Sequence, residues 1–188
     1  HPADKSVRTL FGDAAAATLI QAAEGGPFIE RFRYGTDGAG AKNLIVPIGG
    51  ARNPSSLNTE PQTYTDDSGN TRTDANLYMN GSAIFEFSMT RIPQLFASIF
   101  DESFTLEEVD LFAFHQANKF MLDSLRRRLK LPAEKFISEF EHCGNTVSSS
   151  IPIALKETMD KGVLTEGKTV VGVGFGVGYS WAGCVIKW

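Results

Sequence analysis

Three polar positions in the sequence carry groups that could do chemistry and lie in patterns typical of ligand sites. His115 directly follows the apolar run 111–114, Asn145 lies in a Gly-Asn-Thr turn, and residues 174–178 have the pattern Gly-x-Gly-x-Gly. In α/β proteins, ligands bind where strands end and at tight glycine-rich turns. An imidazole N–H, a carboxamide N–H and a backbone N–H, if brought together, would suit an oxygen that gains negative charge.

Each of these signals also has an ordinary structural explanation when it is taken alone. A histidine at the end of a buried strand can be a hydrogen-bonded core residue, and Asn145 can simply be a cap or turn residue. The glycines of 174–178 resemble a phosphate-binding loop, but a dinucleotide fingerprint requires a helix after the glycines. A β-prone segment follows here, so no nucleotide-binding role is expected.

The elements that must position these groups alternate between strands and helices. His115 is expected at the carboxyl end of a buried strand, because four apolar residues precede it. Apolar residues three and four apart, with Ser82 as the cap of the first helix, predict helices at 84–100, 117–130 and 147–159. Strands are predicted at 7–11, 28–34, 44–46, 110–114, 136–137, 169–173 and 184–186, and residues 14–22 suit either a strand or a helix. This alternation predicts an α/β layered domain.

A polar stretch interrupts the pattern between Gly49 and about Asp74. It is rich in Asn, Pro, Ser, Thr, Asp and Gly, a composition that buries too little apolar surface to order itself well. We expect a long surface excursion there. It could be a functional lid or an insertion without a function, and the sequence leaves both open.

Composition and charge exclude several classes of protein. The 188 residues are 42% hydrophobic and carry a net charge of −4, so a nucleic-acid partner is not expected. Cys143 and Cys184 lack a C-x-x-C partner, which argues against a zinc site or a disulfide framework. Without a membrane-spanning run or a signal-peptide pattern, we expect a cytoplasmic protein with no membrane partner. Because the chain begins with His1, we also expect a fragment of a longer protein.

Taken in order, the motifs of the sequence resemble one known family. They are His-Gln-Ala-Asn at 115–118, His-Cys-Gly-Asn-Thr at 142–146 and the glycine-rich segment 174–178. The combination resembles the C-terminal half of the β-ketoacyl-acyl-carrier-protein synthases III, condensing enzymes of the thiolase superfamily. The resemblance covers nearly the whole chain. Further matching positions are Leu10-Phe11-Gly12-Asp13, Met79-Asn80-Gly81, Ser148 to Pro152 and Trp181.

This resemblance implies a specific architecture. The family has two halves of the same topology, each a mixed sheet flanked by helices, stacked into a thiolase-like layered fold. Residues 1–25 would be the last segment of the N-terminal half, and residues 26–188 would form the C-terminal half. The implied protein partners are an N-terminal half outside these residues and a second copy in a homodimer.

The resemblance also implies an activity and roles for particular residues. The family condenses an acyl-CoA starter with malonyl-acyl-carrier protein in fatty acid biosynthesis, without a metal or other cofactor. A cysteine of the N-terminal half is acylated, and a histidine and an asparagine promote decarboxylation of the malonyl group. Carried over by motif, the catalytic pair is His115 and Asn145. The oxyanion and active-site loop is Gly174, Phe175, Gly176 and Val177, and the contacts to the CoA or carrier-protein arm are Gly81, Asn118 and Lys119.

Two departures from the family pattern leave alternatives open. Neither Cys143 nor Cys184 matches the motif of the nucleophile, so the chain alone is expected to be inactive. Phe120 stands where the family often has an arginine that contacts the acidic carrier protein. Lys119 or the arginines at 126–128 could replace that arginine. The alternatives are a specialised acyltransferase of a secondary-metabolite or polysaccharide pathway and a non-catalytic partner subunit.

Overall fold

The chain folds around a four-stranded mixed sheet. The computed structural model describes residues 1–26, 28–55 and 61–188. The sheet order is β1 (Ile29–Thr36), β8 (Ser180–Lys187), β7 (Thr169–Gly176) and β6 (Leu111–Phe114). Strand β8 is antiparallel to both β1 and β7, whereas β6 and β7 run parallel, with Phe114 opposite Val173. The carboxyl ends of β6 and β7 therefore meet at one edge of the sheet.

Four helices and two small strand pairs complete the described part of the chain. The helices are α1 (Lys5–Arg8), α2 (Gly81–Ile99), α3 (Lys119–Arg128) and α4 (Ser150–Asp160). The small pairs are β2 (Leu44–Ile45) with β5 (Tyr78–Met79), and β3 (Tyr64–Thr65) with β4 (Thr71–Arg72). Short 3₁₀ turns cover Gly38–Gly40, Leu106–Glu108, Ala133–Lys135 and Val147–Ser149. In the part of the chain that the structure describes, no helix is long and apolar enough to cross a membrane.

Helices cover both faces of the sheet. Successive side chains of a strand point to opposite faces, and all four residues of β6 are buried. Phe112 and Phe114 pack in the larger core cluster with apolar residues of α2 and α3. Leu111 and Ala113 pack in a second cluster with Ala154 of α4. The predicted α/β class is confirmed by this layered arrangement.

Two sequence predictions near the N-termini of helices were wrong. Residues 7–11, predicted as a strand, include part of α1, where the Asp4 side chain caps the helix by accepting a hydrogen bond from Ser6 N. Helix α2 is capped by Asn80 and not by Ser82, because Asn80 Oδ1 accepts from Ala83 N at 3.1 Å. In both cases a polar side chain just before the apolar residues supplies the acceptor that the free N–H groups need.

Two apolar segments do not form the elements that their composition predicts. Residues 14–22 form neither a strand nor a helix, and Leu19 and Ile20 are 85% and 74% exposed. Because these apolar side chains pack against no other described surface, neither a helix nor a strand is stabilised there. Residues 136–137 form no strand and contribute only a bridge between Phe136 and Phe112.

The described residues of the polar stretch after Gly49 are better ordered than its composition predicts. Arg72 of β4 is buried and its Nε lies 2.7 Å from Oδ2 of the buried Asp4. Burial would raise the pKa of Asp4, but hydrogen bonds from Ser6 and Arg72 outweigh it and hold the pKa below its usual value. Asp66 also pairs with Arg72. This charged cluster joins the hairpin to the N-terminal helix, although residues 56–60 of the stretch lie outside the described residues.

Candidate active site

His115 lies at the edge of the sheet where β6 ends. Its backbone N–H donates to Val173 O at 2.8 Å, which extends the parallel pairing and sets the residue beside Gly174. The imidazole meets the Phe175 ring edge to face, with ring centroids 5.5 Å apart. The glycine-rich segment forms the end of β7 and the turn into β8, so the parallel register brings the two sequence signals together.

The environment of His115 keeps its imidazole neutral. Burial lowers the pKa of His115 to about 4, and a smaller effect of the nearby Val147 backbone acts in the opposite direction. A group with this pKa is uncharged near pH 7. The Nδ1 atom lies 2.7 Å from Ser150 Oγ. A neutral imidazole carries one N–H donor, which suits hydrogen bonding to a developing oxyanion.

Backbone pairing with the N-terminal segment positions Asn145. Its N–H donates to Leu10 O at 3.0 Å, and its carbonyl accepts from Gly12 N at 3.0 Å. Gly12 is required at this approach, because a Cβ there would lie 1.7 Å from Cys143 O. The Asn145 side chain is buried, and its Oδ1 accepts from Val147 N at 2.9 Å. With its oxygen in use, the carboxamide offers its NH₂ group as a donor.

His115 and Asn145 line one cavity of about 1040 Å³. The sequence predicts that these side chains converge on one cleft near the glycine-rich turn, and in the structure all three line this cavity. Gly174, Phe175, Gly176 and Val177 contribute to the same wall. Most of the remaining lining is apolar, including Leu44, Ile45, Val46, Leu77, Met79, Ile84, Met121 and Ile151. A few polar groups in an otherwise apolar cavity are typical of a small-molecule site.

The residues predicted to contact the substrate arm fall into two groups. Gly81 and Asn118 line the cavity, and Asn118 also caps α3 by accepting a hydrogen bond from Met121 N at 2.8 Å. Lys119 is not among the lining residues, and its exposed Nζ lies 3.5 Å from Asp123 on the next turn of α3. Its neighbour Phe120 is 69% exposed and stacks on Phe85, with ring centroids 5.2 Å apart.

Neither cysteine has the environment of an activated nucleophile. Burial raises the pKa of both thiols, and Glu157 raises that of Cys143 further. A reactive cysteine requires a lowered pKa, because the thiolate is the nucleophile. Both thiols are free, and neither residue is among those that line the cavity.

Sequence reasoning missed the two residues that form hydrogen bonds with the side chains of the catalytic candidates. The backbone N–H of Val147 donates a hydrogen bond to the Asn145 side chain. Val147 has a φ of 56°, a strained conformation for a β-branched residue. Ser150 bonds the His115 ring. The serine run 148–150 was the available signal. A 3₁₀ turn at Val147–Ser149 precedes α4, so helical spacing does not indicate which serine faces the histidine.

Solved structures with the same architecture define the class of fold. A 3-oxoacyl-(acyl-carrier-protein) synthase III structure superposes on the whole chain with a TM-score of 0.89 and 45% identity, and the match covers 56% of that protein. The synthase III from Thermus thermophilus gives a TM-score of 0.70 and 33% identity over 98% of this chain and 54% of its own. The chain has a thiolase-like layered fold, here mainly one half of it, as predicted.

Sequence comparisons identify the family. Residues 99–188 match the model described as 3-oxoacyl-[acyl-carrier-protein (ACP)] synthase III C terminal. The β-ketoacyl-[acyl-carrier-protein] synthases III of Caldanaerobacter subterraneus and Symbiobacterium thermophilum are each 34% identical over 98% of this chain and 53% of their own length. The chain belongs to the β-ketoacyl-[acyl-carrier-protein] synthase III family. It spans about half the length of the curated relatives it matches.

Proposed function

We propose that the protein containing this chain is an acyltransferase that condenses an acyl-CoA with malonyl-acyl-carrier protein in fatty acid biosynthesis. One observation carries the proposal: a neutral His115 and the Asn145 carboxamide face one large, mostly apolar cavity. Membership of the synthase III family supports it. In this proposal the chain supplies the groups that promote decarboxylation.

The pair acts on the charge that develops when malonyl thioester loses carbon dioxide. The electron pair of the breaking C–C bond passes to the α-carbon and onto the thioester oxygen, which gives an enolate. The N–H of His115 and the NH₂ of Asn145 donate hydrogen bonds to that oxygen. Because both groups are already held in place, little reorganisation is needed, and each donor contributes about 10²–10³ in rate.

The glycine-rich segment serves the bond-forming step. The enolate carbon attacks the carbonyl carbon of the acyl thioester, and the carbonyl oxygen becomes an oxyanion. When the oxyanion collapses, the C–S bond breaks and the sulfur of the acylated cysteine leaves as a thiolate. The backbone N–H of Val177 is the donor that we assign to this oxyanion. Phe175, edge to face with His115, helps to exclude water from the enolate.

The acyl group is carried by a cysteine outside these 188 residues. The raised pKa values of Cys143 and Cys184 support this assignment. The chain spans about half the length of its relatives, and residues 1–25 then belong to the half that bears the nucleophile. A homodimer completes the proposed assembly.

The test is a condensation assay on the gene product that contains this chain and on the 188-residue chain alone. Acyl-CoA and malonyl-acyl-carrier protein are supplied, and β-ketoacyl product is measured. We expect product from the longer protein, a loss of about 10²–10³ in rate for His115→Ala and for Asn145→Ala, and none from the chain alone.

Two substitutions of the same residue types away from the cavity are the matched controls. His142 is exposed and pairs with Glu157, and Asn76 accepts a hydrogen bond in a turn, so His142→Ala and Asn76→Ala should retain activity. Product formed by the 188-residue chain alone would contradict the assignment of the nucleophile. A longer protein that never condenses these substrates would contradict the proposed reaction.

A second candidate function is an acyltransfer to an acceptor other than carrier protein. The observation that favours it is the exposed Phe120–Phe85 stack at the position where the family resemblance implies an arginine. An aromatic surface has no charge to attract an acidic carrier protein. A comparison of malonyl-acyl-carrier protein with malonyl-CoA as the acyl acceptor tests this second function. If the function is correct, malonyl-CoA should react faster than malonyl-acyl-carrier protein.

A further inference from the structure

A buried hydroxyl lies behind the imidazole of His115. Ser150, the first residue of α4, is 2% exposed. Its Oγ lies 2.7 Å from His115 Nδ1 and 3.3 Å from the backbone nitrogen of Gln116. The serine hydroxyl therefore contacts the ring on the nitrogen nearer the backbone, at the end of strand β6.

The directions of these hydrogen bonds follow from the chemistry of the three groups. A backbone N–H only donates, so Ser150 Oγ accepts from Gln116. The serine proton then needs an acceptor, and His115 Nδ1 is within reach. If Nδ1 carried a proton instead, the serine oxygen would accept twice and its own buried proton would lack a partner among the contacts of the described residues. An unpaired buried donor costs about 1–3 kcal/mol.

Hydrogen bonds of its own side chain hold Gln116 in place. Its buried side-chain Nε2 donates to Phe114 O at 2.6 Å, and its Oε1 accepts from Glu139 N at 2.8 Å. Side-chain bonds on both sides hold Gln116, so its backbone N–H keeps one orientation toward Ser150. The hydrogen-bond chain therefore runs from the end of strand β6 to the imidazole.

We propose that Ser150 is a positioning residue that holds neutral His115 as the tautomer protonated on Nε2. The ring then presents an N–H donor through Nε2, while Nδ1 is occupied by the serine. In the other tautomer Nε2 is an acceptor, which would repel the enolate oxygen. The assignment of the tautomer depends only on the hydrogen bonds of Ser150. Its consequence for catalysis rests on the proposed function. Because burial keeps the ring neutral, its tautomer decides whether it can donate.

Nitrogen NMR of the 188-residue chain tests the tautomer without any activity assay. The sequence has three histidines, so ¹⁵N-histidine labelling with His142→Gln as an assignment variant resolves His115. We expect Nε2 protonated and Nδ1 unprotonated at pH 7. A proton on Nδ1 in the unmodified chain would overturn the proposal, whatever the variants do.

Variants at two neighbouring serines test the role of the hydroxyl. Ser150→Ala should produce a mixture of tautomers or a shift to the Nδ1-protonated form, and Ser150→Thr, which keeps the hydroxyl, should restore the original signal. Ser149→Ala is the matched control, because Ser149 Oγ bonds Ala14 O and not the ring. A tautomer unchanged in Ser150→Ala would show that the serine does not hold it.

Kinetics on the gene product test the consequence for the reaction. Ser150→Ala should lower kcat for malonyl decarboxylation by less than the about 10²–10³ lost with the donor itself, and KM should stay unchanged. An unchanged kcat together with a changed tautomer would contradict the catalytic consequence. If the longer protein does not condense these substrates but NMR shows the Nε2 tautomer, the proposed function fails and the positioning role stands.

Discussion

Side chains are buried between the sheet and its helices but exposed in segment 14–22. Around β6 and β7, apolar residues are buried on both faces of the sheet, and the polar residues Gln116, Asn145 and Ser150 are buried and hydrogen-bonded. In the segment, Leu19 and Ile20 are exposed. The first region fixes the geometry of the site, whereas the N-terminal residues contribute backbone atoms to it.

Backbone atoms of residues 10–14 connect the N-terminal part of the chain to the site at two points. Leu10 O and Gly12 N pair with the backbone of Asn145, and Ala14 O accepts from Ser149. Because residues 14–22 are all exposed, their side chains do not hold the fold of the described chain together. Their apolar surface is available for contact with another part of the protein, consistent with the proposed N-terminal half.

Truncation of a core side chain should destabilise the protein far more than truncation of a side chain in segment 14–22. Phe112→Ala removes a side chain from the core and should lower the free energy of unfolding by about 3–5 kcal/mol. Leu19→Ala should change it by less than about 0.5 kcal/mol, because Leu19 is exposed. Urea denaturation of the 188-residue chain measures both. Similar losses for the two variants would remove the distinction between the regions.

The Asp4–Arg72 pair offers a sharper test of how the polar hairpin is attached. Arg72→Met leaves Asp4 buried without its partner and should cost about 3 kcal/mol. The double variant Asp4→Leu/Arg72→Met should recover much of this loss, since no buried charge remains. Urea denaturation of all three proteins checks the prediction, and a double variant as unstable as Arg72→Met would refute it.

A smaller effect is expected from the protonation of His115. Its pKa of about 4 lies below the ordinary value of 6.5, so between these pH values the unfolded chain binds a proton that the native state does not. The free energy of unfolding should therefore fall as the pH is lowered through this window, by up to about 1.4 kcal/mol per pH unit. His115→Gln should reduce the slope, and an equal slope in both proteins would contradict a buried neutral ring.

The smallest expected effect concerns the exposed Phe120. In the full-length gene product, Phe120→Arg restores a positive charge beside Lys119 and should lower KM for malonyl-acyl-carrier protein by a few-fold, since exposed pairs contribute about 0.2–1 kcal/mol. The improvement should diminish at high salt. An unchanged KM at low salt would indicate that the carrier protein does not approach this surface.

The sequence indicated the strand that precedes His115 but not the residue that contacts its imidazole, for physical reasons. Four apolar residues before His115 indicated a buried strand, and the structure has one there. The segment 14–22 was ambiguous because its apolar residues have no cover among the described residues to select a structure. Ser150 was missed because its contact with His115 joins residues 35 positions apart, and only the packing of α4 on the sheet brings them together.

The most direct test of the decarboxylation pair separates the two half-reactions of the proposed enzyme. The full-length gene product, His115→Ala and Asn145→Ala are each incubated with acyl-CoA, and the acyl-enzyme is measured by mass spectrometry. Release of labelled carbon dioxide from malonyl-acyl-carrier protein is then followed. We predict normal acylation in both variants and carbon dioxide release reduced by about 10²–10³. Loss of acylation in both, or undiminished release of carbon dioxide, would contradict the role assigned to the pair.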